Sequence, residues 1–325
     1  MRPIDRLAID VVVDNTCDML STRPAHVESE LDRLLDAGMT ELAGQSLCCG
    51  RHGLSLLVTA HDGDRRRVAL FDAGPDPATL RHNAERLGLD LAPVEALVLS
   101  HGHFDHSEGL LEAAALVRRA GGRERLPLHA HPGAFAKRAD RLADGRIVPL
   151  QDVPSPEALH GAGIDLQASD QPEAILDGAL ALSGEIPRRS FERGLENQVR
   201  LTGAGAWEPD PWCMDERFCC VHIRGKGLVI LTGCSHAGVV NICAHARELY
   251  DLPLYGIIGG LHLVYPNEAF IDETIAQLRD FRLRVIVPGH CTGWRATHAL
   301  LRAFGPEVVD PLAVGSRIVL ESGRG

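Results

Sequence analysis

The segment His101-Gly-His103-Phe-Asp105-His106 places three imidazoles and a carboxylate within six residues. His101 and His103 are two apart, so in an extended chain their side chains leave the same side and can converge on one ion. Asp105 and His106 come next, where an apolar strand gives way to a helix. A turn there can aim a second pair of donors at a second ion beside the first. Imidazole with carboxylate suits zinc first, with iron or manganese as alternatives. One or two divalent transition metals are therefore the expected cofactors.

Composition agrees with metal or proton chemistry. The 16 histidines outnumber the 8 Phe, 3 Trp and 3 Tyr combined. At 325 residues and 45% apolar, the chain can bury a large core. A net charge of −11 argues against a nucleic-acid partner and leaves a small-molecule substrate. No run of 18 apolar residues exists, so no membrane partner is expected. Residues 1–14 carry Arg2, Asp5, Arg6 and Asp10 and lack the apolar stretch of a secretory signal. Nine cysteines with no C-x-x-C spacing fit a reduced, cytoplasmic protein. Oligomeric state is left open.

The elements that must hold these donors alternate along the chain. Apolar runs at 8–13, 54–59, 67–71, 96–99, 227–231, 255–258 and 284–287 predict buried strands. Helices are predicted over 27–37, 77–87, 108–120, 239–250 and 268–281, with Ser107 capping the third. The pattern predicts a layered α/β protein, one domain over 1–325. Segment 190–216, with Trp207, Pro209, Pro211 and Trp212, reads as a long loop, a lid or an insertion. The Pro- and Asp-rich stretch 152–177 reads as the connection between two halves.

His101 to His106 resembles the metal motif of the metallo-β-lactamase superfamily, and Leu70-Phe-Asp72-Ala-Gly74 resembles the element that precedes it, with Ala73 replacing the usual Thr. Further matches are Arg51-His52-Gly-Leu-Ser, Leu182-Ser-Gly-Glu185-Ile-Pro-Arg188, Thr232-Gly-Cys234-Ser-His236-Ala-Gly, Gly259-Gly-Leu-His262-Leu, Pro288-Gly-His290-Cys-Thr-Gly and Val314-Gly-Ser. Together they resemble the dihydropterin–ribofuranosylaminobenzene-phosphate synthase subgroup. The resemblance implies a four-layer αββα sandwich with the metals at the sheet edge. It implies His101, His103, Asp105, His106, His236 and His290 as ligands, and Asp72 as the group that orients one of them. Many relatives carry an Asp where Cys234 stands, so the usual bridging carboxylate is missing. Cys234 is the second choice of ligand after His236, or a small residue packed beneath the site. His262 can be a ligand, a proton donor or a substrate contact.

The chemistry expected of such a centre is metal-activated water acting on a small anionic substrate: a phosphate, ester or lactone. Asp105 would help orient the nucleophile and His262 would protonate a leaving group. His52, His131, Glu185 and Arg188 are candidate substrate contacts, the arginine as a clamp for phosphate or carboxylate. The alternatives are a pterin-linked condensing synthase and a non-catalytic metal or ligand sensor.

Overall fold

The computed structural model describes residues 1–323. An eight-stranded sheet runs in the order Val27–Glu28, Arg317–Glu321, Arg6–Val13, Ser55–Asp62, Arg65–Phe71, Val94–Val98, Leu126–Ala130, Ile164–Ala168. A six-stranded sheet runs Glu173–Ile175, Leu180–Leu182, Cys219–Ile223, Gly227–Thr232, Leu254–Gly260, Val285–Gly289. Leu7, Ile9, Leu56, Val58 and Phe71 of the first face Val221, Val229, Leu231 and Ile258 of the second in one core. Each such side chain, fully buried, contributes about 1.5–3 kcal/mol.

The outer faces carry the helices. Pro77–Arg86 and Leu110–Arg119 cover the larger sheet through Leu80, Ala84, Ala113 and Val117. Val239–Tyr250, Ile271–Asp280 and Trp294–Phe304 cover the smaller through Ile242, Ala246, Leu278 and Leu300. These are the four αββα layers expected, and 152–177 does pass from the edge of one sheet to the edge of the other.

Local boundaries differ in two instructive places. Ser107 is not a helix cap. It closes a separate short helix, Phe104–Ser107, and its hydroxyl donates to His103 O at 2.9 Å; the longer helix starts at Leu110 after Gly109. The extra turn carries Asp105 and His106, whose ring lies 4.4 Å from that of His101, toward His290. Nor is 190–216 a free lid. Gln198–Leu201 and Trp207–Pro209 pair with each other and with a hairpin from the first half, Arg138–Arg141 and Ile147–Pro149, as a separate four-stranded sheet.

That small sheet is anchored through charge. Arg138, buried, donates to Asp210 at 3.0 Å and Asp215 at 2.6 Å, and Asp215 accepts Gly102 N–H at 2.8 Å. Glu192 accepts from Val240 N and Asn241 N, capping a helix whose own cap position is glycine. Glu216 accepts from His236 N and Ala237 N at 2.8 and 2.6 Å. The segment packs as a wall whose carboxylates accept backbone N–H groups of the neighbouring loops. No helix among the described residues is long and apolar enough to cross a membrane.

Candidate metal centre

Parallel strands bring the donors together. Phe71 lies beside Val98, so Asp72 and Ser100–His101 leave the larger sheet at the same edge. Thr232 lies beside Gly259, and Gly260 beside Gly289. The residues just beyond those three strand ends, Cys234–His236, His262 and His290, therefore meet at one edge of the smaller sheet. Backbone strain concentrates there. Asp72, Ser235, His262 and His290 all have positive φ, 57°, 64°, 41° and 49°, at about 1–2 kcal/mol each for a side chain in that region. Two glycines are fixed by crowding. A Cβ on Gly102, between His101 and His103, would sit 1.9 Å from Ala134 O, and one on Gly233 would sit 2.2 Å from Ser100 Oγ.

Two donor sets result. In the first, His101 Nε2 lies 3.0 Å from His103 Nδ1, and the His236 ring lies 4.8 and 4.9 Å from theirs. In the second, Asp105 Oδ2 lies 3.7 Å from His106 Nε2 and 3.3 Å from His290 Nε2. Cys234 belongs to both: its donor atom lies within 4.8 Å of those of Asp105, His106 and His290, and within 4.8 Å of those of His101 and His236. Its Sγ is 3.2 Å from His106 Nε2. Cys234 is therefore neither beneath the site nor an alternative to His236. The short Cys side chain reaches the junction, and His236, two residues on, reaches the first set.

Hydrogen bonds orient the rings from behind. Asp72 Oδ2 meets His106 Nδ1 at 2.7 Å while its other oxygen accepts Ser100 N–H at 2.7 Å. Ser100 Oγ meets His101 Nδ1 at 2.9 Å. Asn15 Oδ1 meets His290 Nδ1 at 3.2 Å, and Asp14 accepts His290 N–H at 2.8 Å. Asp14 and Asn15 follow the first strand, Arg6–Val13. A polar pair closing an apolar run was the available signal, but their distance in sequence from His290 hid the role.

The donor chemistry fits divalent cations. Burial holds His101 and His236 well below the ordinary imidazole value and His103 at about 4, leaving neutral lone-pair donors. Burial opposes ionisation of Asp105, yet His106 and His290 hold it well below the usual carboxylate range. Both ring nitrogens of His236 are buried with no hydrogen-bond partner, a costly state that a cation relieves. The residues present thus fit one or two divalent ions.

The centre floors a cavity of about 1060 Å³. His262 and His52 both line it. The His262 ring lies 4.5 Å from that of His236, and His52 Nε2 lies 3.4 Å from Asp105 Oδ2. Cys291 lines it too; the sequence motif contained it without suggesting a role.

Three expected substrate contacts lie elsewhere. Arg188 donates to the carbonyls of Ile186, Trp212 and Cys213, so its guanidinium is spent on the turn that carries Cys213. Glu185 is exposed, with its backbone N–H on Asp170 O. His131 turns Nδ1 onto Gly133 N–H at 3.0 Å. None of the three lines the cavity.

Comparison with known proteins agrees with this geometry. A family model described as the β-lactamase superfamily domain matches residues 66–166. The chain is 25% identical over 258 residues to the 7,8-dihydropterin-6-methyl-4-(β-D-ribofuranosyl)-aminobenzene-5′-phosphate synthase of Methanocaldococcus jannaschii, covering 78% of this chain and 85% of that one. It is 31% identical over 248 residues to the uncharacterized protein MJ0448 of the same organism, covering 76% and 86%. Among solved structures, Tm1679, a metal-dependent hydrolase of the β-lactamase superfamily, matches with a TM-score of 0.71 at 22% identity, over 98% of this chain and 100% of that one. Unliganded yeast PDE1 matches at 0.53 and 10% identity, over 98% and 100%. The order of the layers, the His101–His106 segment at a strand end and these likenesses lead to one assignment: the chain belongs to the metallo-β-lactamase superfamily, whose fold implies divalent metal binding.

Proposed function

We propose that this chain is a metal-dependent hydrolase acting on a small anionic substrate, a phosphate ester, carboxylic ester or lactone. The observation that carries the reading is the pair of donor sets sharing Cys234 on the floor of a large open cavity. His101, His103 and His236 would hold one ion and Asp105, His106 and His290 the other, with Cys234 common to both. Zinc is the first expectation for this nitrogen, carboxylate and thiol mixture. Such ions supply Lewis acidity and a hydroxide nucleophile at neutral pH.

The remaining work falls to the side chains. Asp72, Ser100 and Asn15 keep the rings pointed inward. His262, which lines the cavity 4.5 Å from the His236 ring, would pass a proton to a leaving group. Asn15 Nδ2, 3.2 Å from His52 Nδ1, holds the His52 ring beside Asp105 at the entrance. With Arg188 turned away, recognition of the anion rests on the centre itself and on Arg141, which lines the cavity.

A second reading, the condensing synthase, is supported by the named relative and by Phe104 and Tyr265 in the cavity lining, which offer faces to a flat ring. Metal analysis of the purified chain comes first, and fewer than about one transition metal per chain sinks both readings. A panel of phosphodiesters, phosphomonoesters, esters and lactones should then show turnover that disappears in His103→Ala. Pterin binding without turnover on any of them would favour the synthase. Full metal loading with neither result would leave a sensor.

A further inference from the structure

We infer that Gln198 and Cys213, carried by the small-sheet wall, are positioning residues for His103, so that the wall of the substrate cavity also sets one metal donor. The inference rests on the reading that His103 gives Nδ1 to a metal. Nδ1 is the nitrogen that faces His101 Nε2, at 3.0 Å. The opposite nitrogen, Nε2, faces the wall: Gln198 Nε2 lies 2.6 Å from it and Cys213 Sγ 3.5 Å. Cys213 Sγ in turn lies 3.4 Å from Gln198 Oε1. Both wall residues are buried, at 1% and 0% exposure.

An imidazole that gives Nδ1 to a cation carries its proton on Nε2, and that proton needs an acceptor. The two ends of the Gln198 amide are nearly identical in shape, so a half-turn exchanges them. In the present orientation the amide donates to Nε2, and the ring proton sits on Nδ1 toward His101. After the half-turn Oε1 accepts the Nε2 proton and the amide N–H faces Cys213 Sγ, a weak acceptor. One side chain thus serves the ring both without and with a metal. His101, His106 and His290 have Ser100, Asp72 and Asn15 behind them; Gln198 fills the same place for His103 from outside the two main sheets.

The delivery of these groups is elaborate. Gln198 opens a strand paired with Arg138–Arg141. Cys213 has φ +42°, and Arg188 holds the carbonyls of Trp212 and Cys213 at 2.7 and 2.8 Å. Arg138 and Asp215 tie the same wall to Gly102, between the first two histidines. Strain, the buried Arg138 and the half-buried Arg188 are thus committed to the place where Cys213 and Gln198 meet His103.

The test is metal binding, not turnover. The full chain is stripped and titrated with Co(II) and Zn(II) against a chromophoric chelator, and the Co(II) visible bands are recorded. Gln198→Met keeps the length but offers no hydrogen bond. It should weaken one of the two metals by about 10–100-fold and shift its Co(II) bands, leaving the other metal unchanged. Gln198→Glu retains an acceptor and should bind as wild type does. Wild-type affinity and bands in Gln198→Met, or equal loss in Gln198→Glu, overturn the inference. Should the methionine variant not fold, Gln198→Glu decides alone: weaker binding than wild type overturns it, and equal or tighter binding supports it. A wild-type chain that takes up no metal fails the underlying reading and this one together. A loaded wild type with an indifferent Gln198→Met fails only this one.

Discussion

Replacing Cys234 with alanine should weaken both metals, whereas replacing His290 with alanine should weaken one. The asymmetry comes from position: Cys234 belongs to both donor sets and His290 to a single set. Four-donor zinc sites bind with about 10–16 kcal/mol, so one donor is worth about 2.5–4 kcal/mol, or roughly 10²–10³ in affinity. Cys234→Ala should therefore cost about that factor at each of two ions, and His290→Ala at only one. Little else changes. Cys234 is buried and the substitution removes one atom, so the fold itself should lose about 1 kcal/mol. The assay is competitive titration of the stripped protein against a chelator of known affinity, with bound metal counted per chain. Biphasic wild-type binding should become two weak phases in Cys234→Ala, but one tight and one weak phase in His290→Ala. If Cys234→Ala keeps one tight phase, the cysteine is not shared and the two-set arrangement is wrong.

Other consequences are as direct. Burial pulls His106 down, but Asp105 and Asp72 more than offset it and raise it to about 9. A metal must displace that proton, which by itself makes the apparent affinity of this ion rise about tenfold per pH unit up to about pH 9, and release of the Cys234 thiol proton, held on by burial, steepens the rise; a flat profile in buffers of matched ionic strength would contradict the pairing. In the metal-free chain the same raised value contributes stability fully present below about pH 6.5, the unfolded imidazole value, and lost as pH rises through about 9. Denaturant midpoints of the stripped protein should track that window. Asp72→Ala leaves Ser100 N–H buried without its acceptor and His106 without its orienting partner; about 1–3 kcal/mol of stability and about 10–100-fold in metal affinity should go together, by denaturation and chelator titration. Arg138→Met strands Asp210 and Asp215 and should cost about 3–5 kcal/mol in chemical denaturation. Arg188→Ala should lower the midpoint of chemical denaturation and, in chelator titration, weaken binding of the ion held by His103, because its guanidinium holds the carbonyls of the turn that carries Cys213.

The residues that the fold gathers at the candidate centre were legible where they are contiguous or follow an apolar run. His101 to His106 lie in one segment, and His236 and His290 each come after a strand of buried aliphatic residues. The shared position of Cys234 was harder to read, because a thiol stands where a carboxylate was expected. The wall was missed for a physical reason. Its strands are three or four residues long, partly exposed and rich in charge, so no period of two emerges. Arg188, expected to clamp an anion, shows that charge alone does not say what it meets, and the nearby Arg189 and Arg193 show the same. Arg188 meets carbonyls, Arg189 meets Glu248 and Arg193 meets Glu196. Gln198 and Asn15 are single amides far in sequence from the histidines they touch, and only the assembled fold pairs them.

The path of the chain divides the centre as well as the fold. Asp72 and His101 to His106 precede the crossing at 169–172 between the two sheets, and Cys234, His236 and His290 come after it. The wall is split likewise, one hairpin from each side. A cut in that crossing would yield two fragments, each with most of one sheet and its helices and neither with a full set of donors; the strand Arg317–Glu321 of the second would still have to insert beside Arg6–Val13 of the first. Metal uptake would then report reassembly: fragments that bind ions only when mixed would have recovered the interface between the sheets to within ångströms, without any enzyme assay.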